Sequence, residues 1–532
     1  MGKIIVLAIV LRLFLLTSVP PSLNWDEVSQ GYTAYSILQT GKDEWGEKLP
    51  LFFRSYGEWK SAVYIYLLLP FIKVLGLNAF AVRLPSVLAG IISVYLMYLL
   101  GKKIYSEKIG LWSAFLMSVT PWTFMLGRPA FEANVALTLI LAGIYFFLRF
   151  NLKPKIYLLI SSAVALGLAP HTYNSAKIVV PLIVLYLVWS TKLYKNLKSS
   201  LLLFGTLFIF ALPILLNLGS GPSLARYNQV GVATDLKALN EFVSLRSTLP
   251  LPELGNKLIF NKYTYSLYKI TDNWFSYFSP SFLAVSGGPH HQHSLPYHGV
   301  LYIAEFLLVL IGVFTLFSKK SSTMSHLPLI IIIFGTLPAA MTRDSYHVLR
   351  ILLAAPGFIF LAALGLDYLQ TKKFKYLKFV IWILGFEIVV FMTTYFLWYP
   401  RTFPRDWQYG HQEVAAYLKE HEGEYDRIVM TKWYGEPQLF VAFYNLWDPK
   451  IYQAQNLPLI RYETEGRLWL DQLPQYSLGK YTFKYLDWST EIRDSRTLYI
   501  GKSDDFYPDS NIKQTILFPD GTVAFYIVQG DK

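Results

Sequence analysis

Twelve apolar segments leave this chain few folds to choose from. They fall at about 3–19, 62–76, 80–100, 109–125, 133–150, 156–169, 176–190, 200–217, 299–317, 326–341, 349–366 and 377–398. A helix satisfies its own backbone polar groups, which is what a segment surrounded by hydrocarbon requires. Of 532 residues, 54% are hydrophobic and only 16% are charged. A soluble chain of this length could not cover its surface with so little charge. The pattern is that of a polytopic α-helical membrane protein.

The connections between segments carry charge in a regular way. Lys102, Lys103 and Lys108 follow one segment, and Lys153 and Lys155 another. Then come Lys192, Lys195 and Lys198, then Lys319 and Lys320, then Lys372, Lys373 and Lys375. Placed in the cytoplasm, these loops meet the positive-inside rule at each step. Parity closes if 62–76, short and flanked by Lys60 and Lys73, lies along the outer surface without crossing. The expectation is about eleven transmembrane helices in a plasma membrane, with a cytoplasmic N-terminus. Loop 20–79, with interfacial helices near 27–40 and 58–76, loop 218–298 and the tail are then extracytoplasmic. Several segments are short or carry Pro181, Pro213, Pro338 or Pro356, which predicts tilted or kinked helices.

Residues 1–398 are expected to form the membrane domain and 399–532 a small soluble α/β domain. In the tail, EVAAYLKEHEGE has helical spacing ended by a Gly, while RIVM, TLYI and TVAFYIV read as strands. Lys3 and the apolar run after it could suggest a leader peptide. The run is long, carries Arg12 and lacks a small-x-small cleavage site, so a retained first helix is expected. The chain has no cysteine, which excludes disulfides, thiolate metal sites and a Cys nucleophile. Its net charge of +13 lies largely in short loops, where it signals topology and not nucleic acid. No glycine-rich phosphate loop occurs, so ATP-driven transport and nicotinamide chemistry are not expected.

The residues able to carry chemistry share one expected side of the membrane. Asp26 and Glu27 open LNWDEVSQGYTAYSILQTG, and Glu58 and Lys60 follow in the same loop. Arg128 and Glu132 lie in FMLGRPAFEANVAL. His171 and Tyr173, with Asn174 and Lys177, lie in LAPHTYNSAK. Arg343 and Arg350, with Asp344 and His347, lie in AAMTRDSYHVLR. His290, His291, His293 and His298 close the long loop. Each has a plainer reading. Asp26 could cap a helix starting near Val28. Arg128 and Arg343 could snorkel to the interface, and Lys60 could anchor at headgroup level. Glu132 could neutralise Arg128, one helical turn away. His290, His291 and His293 could hold a divalent metal, the one cofactor the sequence leaves open. Carboxylates and cations together suit an anionic lipid carrying a transferable group: Arg or Lys for its phosphate, a carboxylate to deprotonate an acceptor.

Three stretches carry a family pattern: LRLFLLTSVPPSLNWDEVSQGYTAYSILQTG; LGLNAFAVRLPSVLAGIISVYLMYLLGKKIYSEKIGLWSAFLMSVTPWTFMLGRPAFEANVAL; and APHTYNSAKIVVPL. They resemble the lipid-sugar-dependent glycosyltransferases of the GT-C fold. The nearest pattern is that of the protein O-mannosyltransferase-like group (glycosyltransferase family 39) and the aminoarabinose transferases of lipid A. The likeness covers residues 5–190 well, the later segments loosely, and not the tail. It implies a polyprenyl-phosphate sugar donor in the outer leaflet and an acceptor lipid, glycan or protein. It implies Asp26 as catalytic base, Glu132 as the acid of the second outer turn, and Lys60 as the interfacial-helix lysine that meets the carrier phosphate. Where the aminoarabinose enzyme has a Pro-Pro pair after that lysine, this chain has Ser61 and Ala62. Glu27 is expected as a first-turn acid or an orienter of cations. Glu58, Arg128, His171, Tyr173, Arg343 and Arg350 are further substrate- or phosphate-binding candidates. No WWDYG-type motif occurs, which argues against en bloc transfer of a glycan to Asn. The alternative is a lipid-linked glycan transporter without transfer chemistry. Its polar groups would lie near the midplane, where this sequence places only Arg12, Glu305 and Glu387.

Overall fold

The computed structural model describes residues 1–55, 59–219, 230–248, 252–318, 323–464 and 472–531. Glu58, Lys319, Lys320 and part of loop 218–298 lie outside the described residues. The chain forms two compact units. One comprises Met1–Phe14 and Ser86–Met392; the other comprises Leu15–Pro85 and Thr393–Lys532. The loop 20–79, expected to belong with the spans, is thus grouped with the tail.

The first unit is helical. It begins with α1 (Gly2–Leu13), which stops well short of the expected 3–19. It takes in most of α4 (Ala79–Ile104) and then α5 (Glu107–Val119). Among the described residues, six helices are long and apolar enough to cross a membrane: Ala79–Ile104, Glu132–Leu152, Leu197–Leu216, Thr323–Ala340, Leu352–Thr371 and Leu377–Thr402. Ile156–His171, Ala176–Ser190 and Ile303–Ser318 are apolar but shorter. Close packing rests on small residues. A Cβ at Gly312 or Gly365 would fall on the backbone of Leu361 or Leu308, so Ile303–Ser318 and Ala355–Thr371 approach backbone to backbone. Pro181, Pro213 and Pro338 sit inside helices, whereas Pro356 begins one, where its missing N–H costs nothing.

The second unit begins with α2 (Trp25–Thr40). A short antiparallel hairpin follows, β1 (Phe52–Arg54) and β2 (Trp59–Ser61), and leads into α3 (Ala62–Leu75). At 14 residues α3 spans about 21 Å, too short to cross hydrocarbon of roughly 30 Å. Where a helix was expected at 58–76, the described residues form a strand, Trp59–Ser61, and then a helix, Ala62–Leu75, so Lys60 is a strand residue.

The tail folds around a six-stranded mixed sheet: β3 (Arg427–Thr431), β4 (Gln475–Leu478), β5 (Tyr481–Lys484), β6 (Thr497–Gly501), β7 (Ile512–Leu517) and β8 (Val523–Gln529). The spatial order is β4-β5-β3-β6-β8-β7. The central β3 pairs in parallel with β5 and β6, and the other pairs are antiparallel. The three expected strands are β3, β6 and β8, which lie side by side in the sheet. The expected helix is His411–His421, with Gly423 in the turn that follows it. Buried β3 and β8 residues such as Val429 and Val528 share a core with Trp488, Tyr499 and Phe506.

Candidate active site

Asp26 and Glu27 are adjacent, and the fold separates their tasks. The cap of α2 is Asn24, not Asp26. Asn24 Oδ1 accepts from the Glu27 amide at 2.9 Å, and the Glu27 carboxylate accepts from the Asn24 amide at 3.1 Å. This is a closed capping box, with Glu27 at the third helical position. The helix therefore starts three residues before Val28.

Glu27 is also fully buried against Arg83, the Arg of RLPS. Arg83 Nε and Nη2 donate to its two carboxylate oxygens at 2.9 and 3.0 Å. The remaining guanidinium donors meet the carbonyls of Leu16, Pro20 and Ser22, and Trp407 covers the guanidinium at 5.8 Å. A bidentate pair with every donor used is the form in which a buried charge is tolerated. It ties residues 16–27 to α4. With its partner 56 residues away, Arg83 carries no local sequence signal of this role.

Asp26 remains 42% exposed at the start of α2, and Lys60 Nζ reaches its Oδ1 at 3.0 Å. Lys60 is only 8% exposed. It comes from β2, paired with Phe53 across the hairpin. The structure thus brings Asp26 and Lys60 together.

A third acid interacts with Lys60, and the sequence alone does not single it out. Glu44 follows the left-handed Gly41 that ends α2. It is 1% exposed, and its Oε1 accepts from Ser29 Oγ at 3.4 Å. Burial pushes its carboxyl up to about 8, with the charge of Lys60 as the main opposing influence. The neighbouring Asp43 accepts from the amides of Trp45 and Glu47 at 2.9 and 2.8 Å, and burial raises it to about 6. The tail domain holds this loop. Gln453 Nε2 donates to Asp43 O at 2.8 Å and to Ser36 Oγ and Thr40 Oγ1 at 3.0 Å. Asn456 Nδ2 donates to Glu44 O at 3.1 Å. Tyr32 donates to Trp447 O. At Gly31 a Cβ would strike Phe443 and Val82, so α2 packs closely on this face.

The remaining candidates lie in the first unit. Arg128 is buried, and its Nη atoms donate to the carbonyls of Leu11, Arg12 and Phe14 at 2.6–3.0 Å. It closes the C-terminal end of α1. Arg12 does the same for α5 through Met117 and Ser118. Glu132 is half-buried at the first residue of its helix. His171 Nε2 lies 2.6 Å from Phe210 O, and Tyr173 is half-buried just beyond it. Arg343 donates to Gly231 O and to both oxygens of Thr234. Arg350 donates to Asp344 and Thr342. The rings of His290, His293 and His347 lie 5.0–5.8 Å apart, whereas His291 is in none of these ring pairs. Among the described residues, no group of three or more His, Asp or Glu side chains is set to hold a metal ion.

A family model described as dolichyl-phosphate-mannose-protein mannosyltransferase matches residues 60–216. No curated protein matches the sequence. Among solved structures, the chain is similar to an oligosaccharyltransferase of Archaeoglobus fulgidus solved with Zn and sulfate, at 12% identity and a TM-score of 0.52. The match covers 83% of this chain and 61% of that one. The chain carries the GT-C fold. Lower similarity extends to ArnT of Cupriavidus metallidurans bound to undecaprenyl phosphate, at 10% identity over 100% of this chain and 98% of that one, TM-score 0.45. It also extends to the mycobacterial arabinofuranosyltransferase AftD, at 12% identity over 83% and 32%, TM-score 0.44. The chain spans under two thirds of the length of the oligosaccharyltransferase it matches. In this GT-C chain the matched family region begins at Lys60 itself.

Proposed function

We propose that this protein is an integral membrane glycosyltransferase that moves a sugar from a polyprenyl-phosphate donor to an acceptor on the extracytoplasmic side. The observation that carries the reading is the Asp26–Lys60 pair: a half-open carboxylate and a nearly buried ammonium 3.0 Å apart, in a GT-C fold whose matched family is described by a dolichyl-phosphate sugar.

In the reaction, Asp26 takes the proton of the acceptor hydroxyl or amine as that group attacks the anomeric carbon. The bond from that carbon to the phosphate oxygen breaks, and the polyprenyl phosphate leaves with the electron pair. Lys60 exchanges the Asp26 carboxylate for the phosphate and stabilises its charge. Phosphate leaves without a general acid, and no protein nucleophile is required, so the anomeric configuration inverts. Glu27, held by Arg83, fixes the first turn of α2 and thereby the position of Asp26.

Transport is the weaker reading on specific grounds. The charges expected near the midplane serve helix ends and turns. Glu387 accepts from the Ile303 and Ala304 amides at 2.9 and 3.1 Å, and Glu305 accepts from Thr120 at 2.8 Å.

The test is transfer from a purified lipid-linked sugar to an acceptor in vesicles. Asp26→Asn is expected to insert, fold and lose transfer, and turnover near wild type removes Asp26 from the mechanism. NMR of the anomeric proton in product and donor is expected to show inversion; retention overturns the single displacement.

A further inference from the structure

Glu44 has no part in the scheme above, yet its surroundings are unusual for a carboxyl. The hydroxyls of Ser29 and Thr33 reach its carboxyl, but its buried Oε2 has no hydrogen-bond partner among the described residues. Its backbone is pinned by Asn456, and the loop on either side is closed by the Asp43 turn. The group cannot easily swing out to water. The cation acting on it among the described residues is Lys60, which also pairs with Asp26. One ammonium therefore serves two carboxyls, one exposed and one buried. An arriving phosphate adds negative charge to a place that already holds two acids. A buried carboxylate beside it would be strongly unfavourable unless it became neutral.

We propose that Glu44 is the positioning residue for Lys60: in its ionised form, populated in mildly alkaline solution, it holds Lys60 back from the phosphate, and a polyprenyl phosphate that engages Lys60 there is bound together with a proton taken up by Glu44 from water. This rests on the reading that Lys60 meets the donor phosphate. No bond to substrate forms at Glu44, and the proton is its only exchange.

The direction in pH follows. Below about pH 8 Glu44 is already neutral, and phosphate binding needs no proton. Above it, binding must bring a proton with it, so affinity falls as pH rises. The groups facing Glu44 are Lys60 from β2, Asp43 from its own loop and Tyr32 from α2. Asp43 titrates near pH 6, below this window. Burial raises the Tyr32 hydroxyl, so it titrates above the window.

The experiment is calorimetric titration of the full-length protein in detergent with farnesyl phosphate, from pH 7.5 to 9.5. There the probe keeps one charge state, its second ionisation lying near pH 6. Wild type is expected to lose about 20-fold in affinity across the range and to take up close to one proton per binding event at the upper end. Glu44→Gln is expected to give a nearly flat profile without uptake. Matching profiles in the two proteins, or no proton uptake by wild type, overturn the role of Glu44 and leave Lys60 in place. Lys60→Ala binding as tightly as wild type overturns the phosphate site, and the role of Glu44 with it.

Discussion

The helical unit fixes its buried charges, whereas the other unit fixes one pair, Glu27 with Arg83, and leaves a second, Asp26 with Lys60, able to exchange. In the helical unit, Arg12, Arg128 and Glu387 each meet backbone groups at the end of a helix. Helix ends leave unmatched carbonyls and amides with partial charge, and a side chain of opposite sign satisfies them. Such a partner cannot be displaced without breaking the helix end. In the other unit, Lys60 pairs with Asp26 and acts on the buried Glu44, and Asp26 stays partly open to solvent. A side-chain ion pair can trade one partner for a substrate charge. Fixed charge builds the framework of both units; exchangeable charge marks the place where chemistry can occur.

The contrast can be broken most directly at Asp26. Asp26→Asn should lower transfer by about 10²–10⁴-fold, the range for a lost general base, with thermal unfolding close to wild type. A matching fall in stability would put Asp26 among the fixed charges. Next in size is Arg83→Met. It leaves Glu27 buried without its partner and should cost roughly 3–5 kcal/mol, read as a large drop in unfolding temperature or in folded yield. Unchanged stability there would mean the pair is not held as described. Arg128→Met should cost about 1–3 kcal/mol, because it leaves carbonyls at the end of α1 without donors; thermal unfolding in detergent reads it. The smallest effect is expected from Asn456→Ala, about 0.5–1.5 kcal/mol for one hydrogen bond. It should also shift the pH profile of phosphate binding by loosening Glu44. A profile identical to wild type would separate the tail domain from the site.

Much of the framework was legible. Long apolar runs report helices directly, since burial in hydrocarbon selects composition. The adjacent strands β3, β6 and β8 were legible because burial in the core of the tail domain makes them apolar. The helix at 58–76 was not. Trp59, Lys60 and Ser61 pair with β1, and a three-residue strand has too few positions to show its alternation. The cap of α2 was misplaced by two residues because Asn24, Asp26 and Glu27 all suit a helix start. Only the observed capping box decides among them. Glu44 and Arg83 went unassigned although both are in plain view in the sequence.

By itself, the sequence determined that this chain is polytopic and α-helical, that a soluble-textured domain follows, and that acids and cations cluster in a few connections. Those properties follow from composition and local period. Only the tertiary structure decided which acid anchors and which stays open. Glu27 meets Arg83 across 56 residues, Asp26 meets Lys60, and Glu44 is fixed by Asn456 of the tail domain. Adjacent carboxylates have the same intrinsic chemistry; what separates them is burial and the distance to a cation, and both are set by parts of the chain remote in sequence.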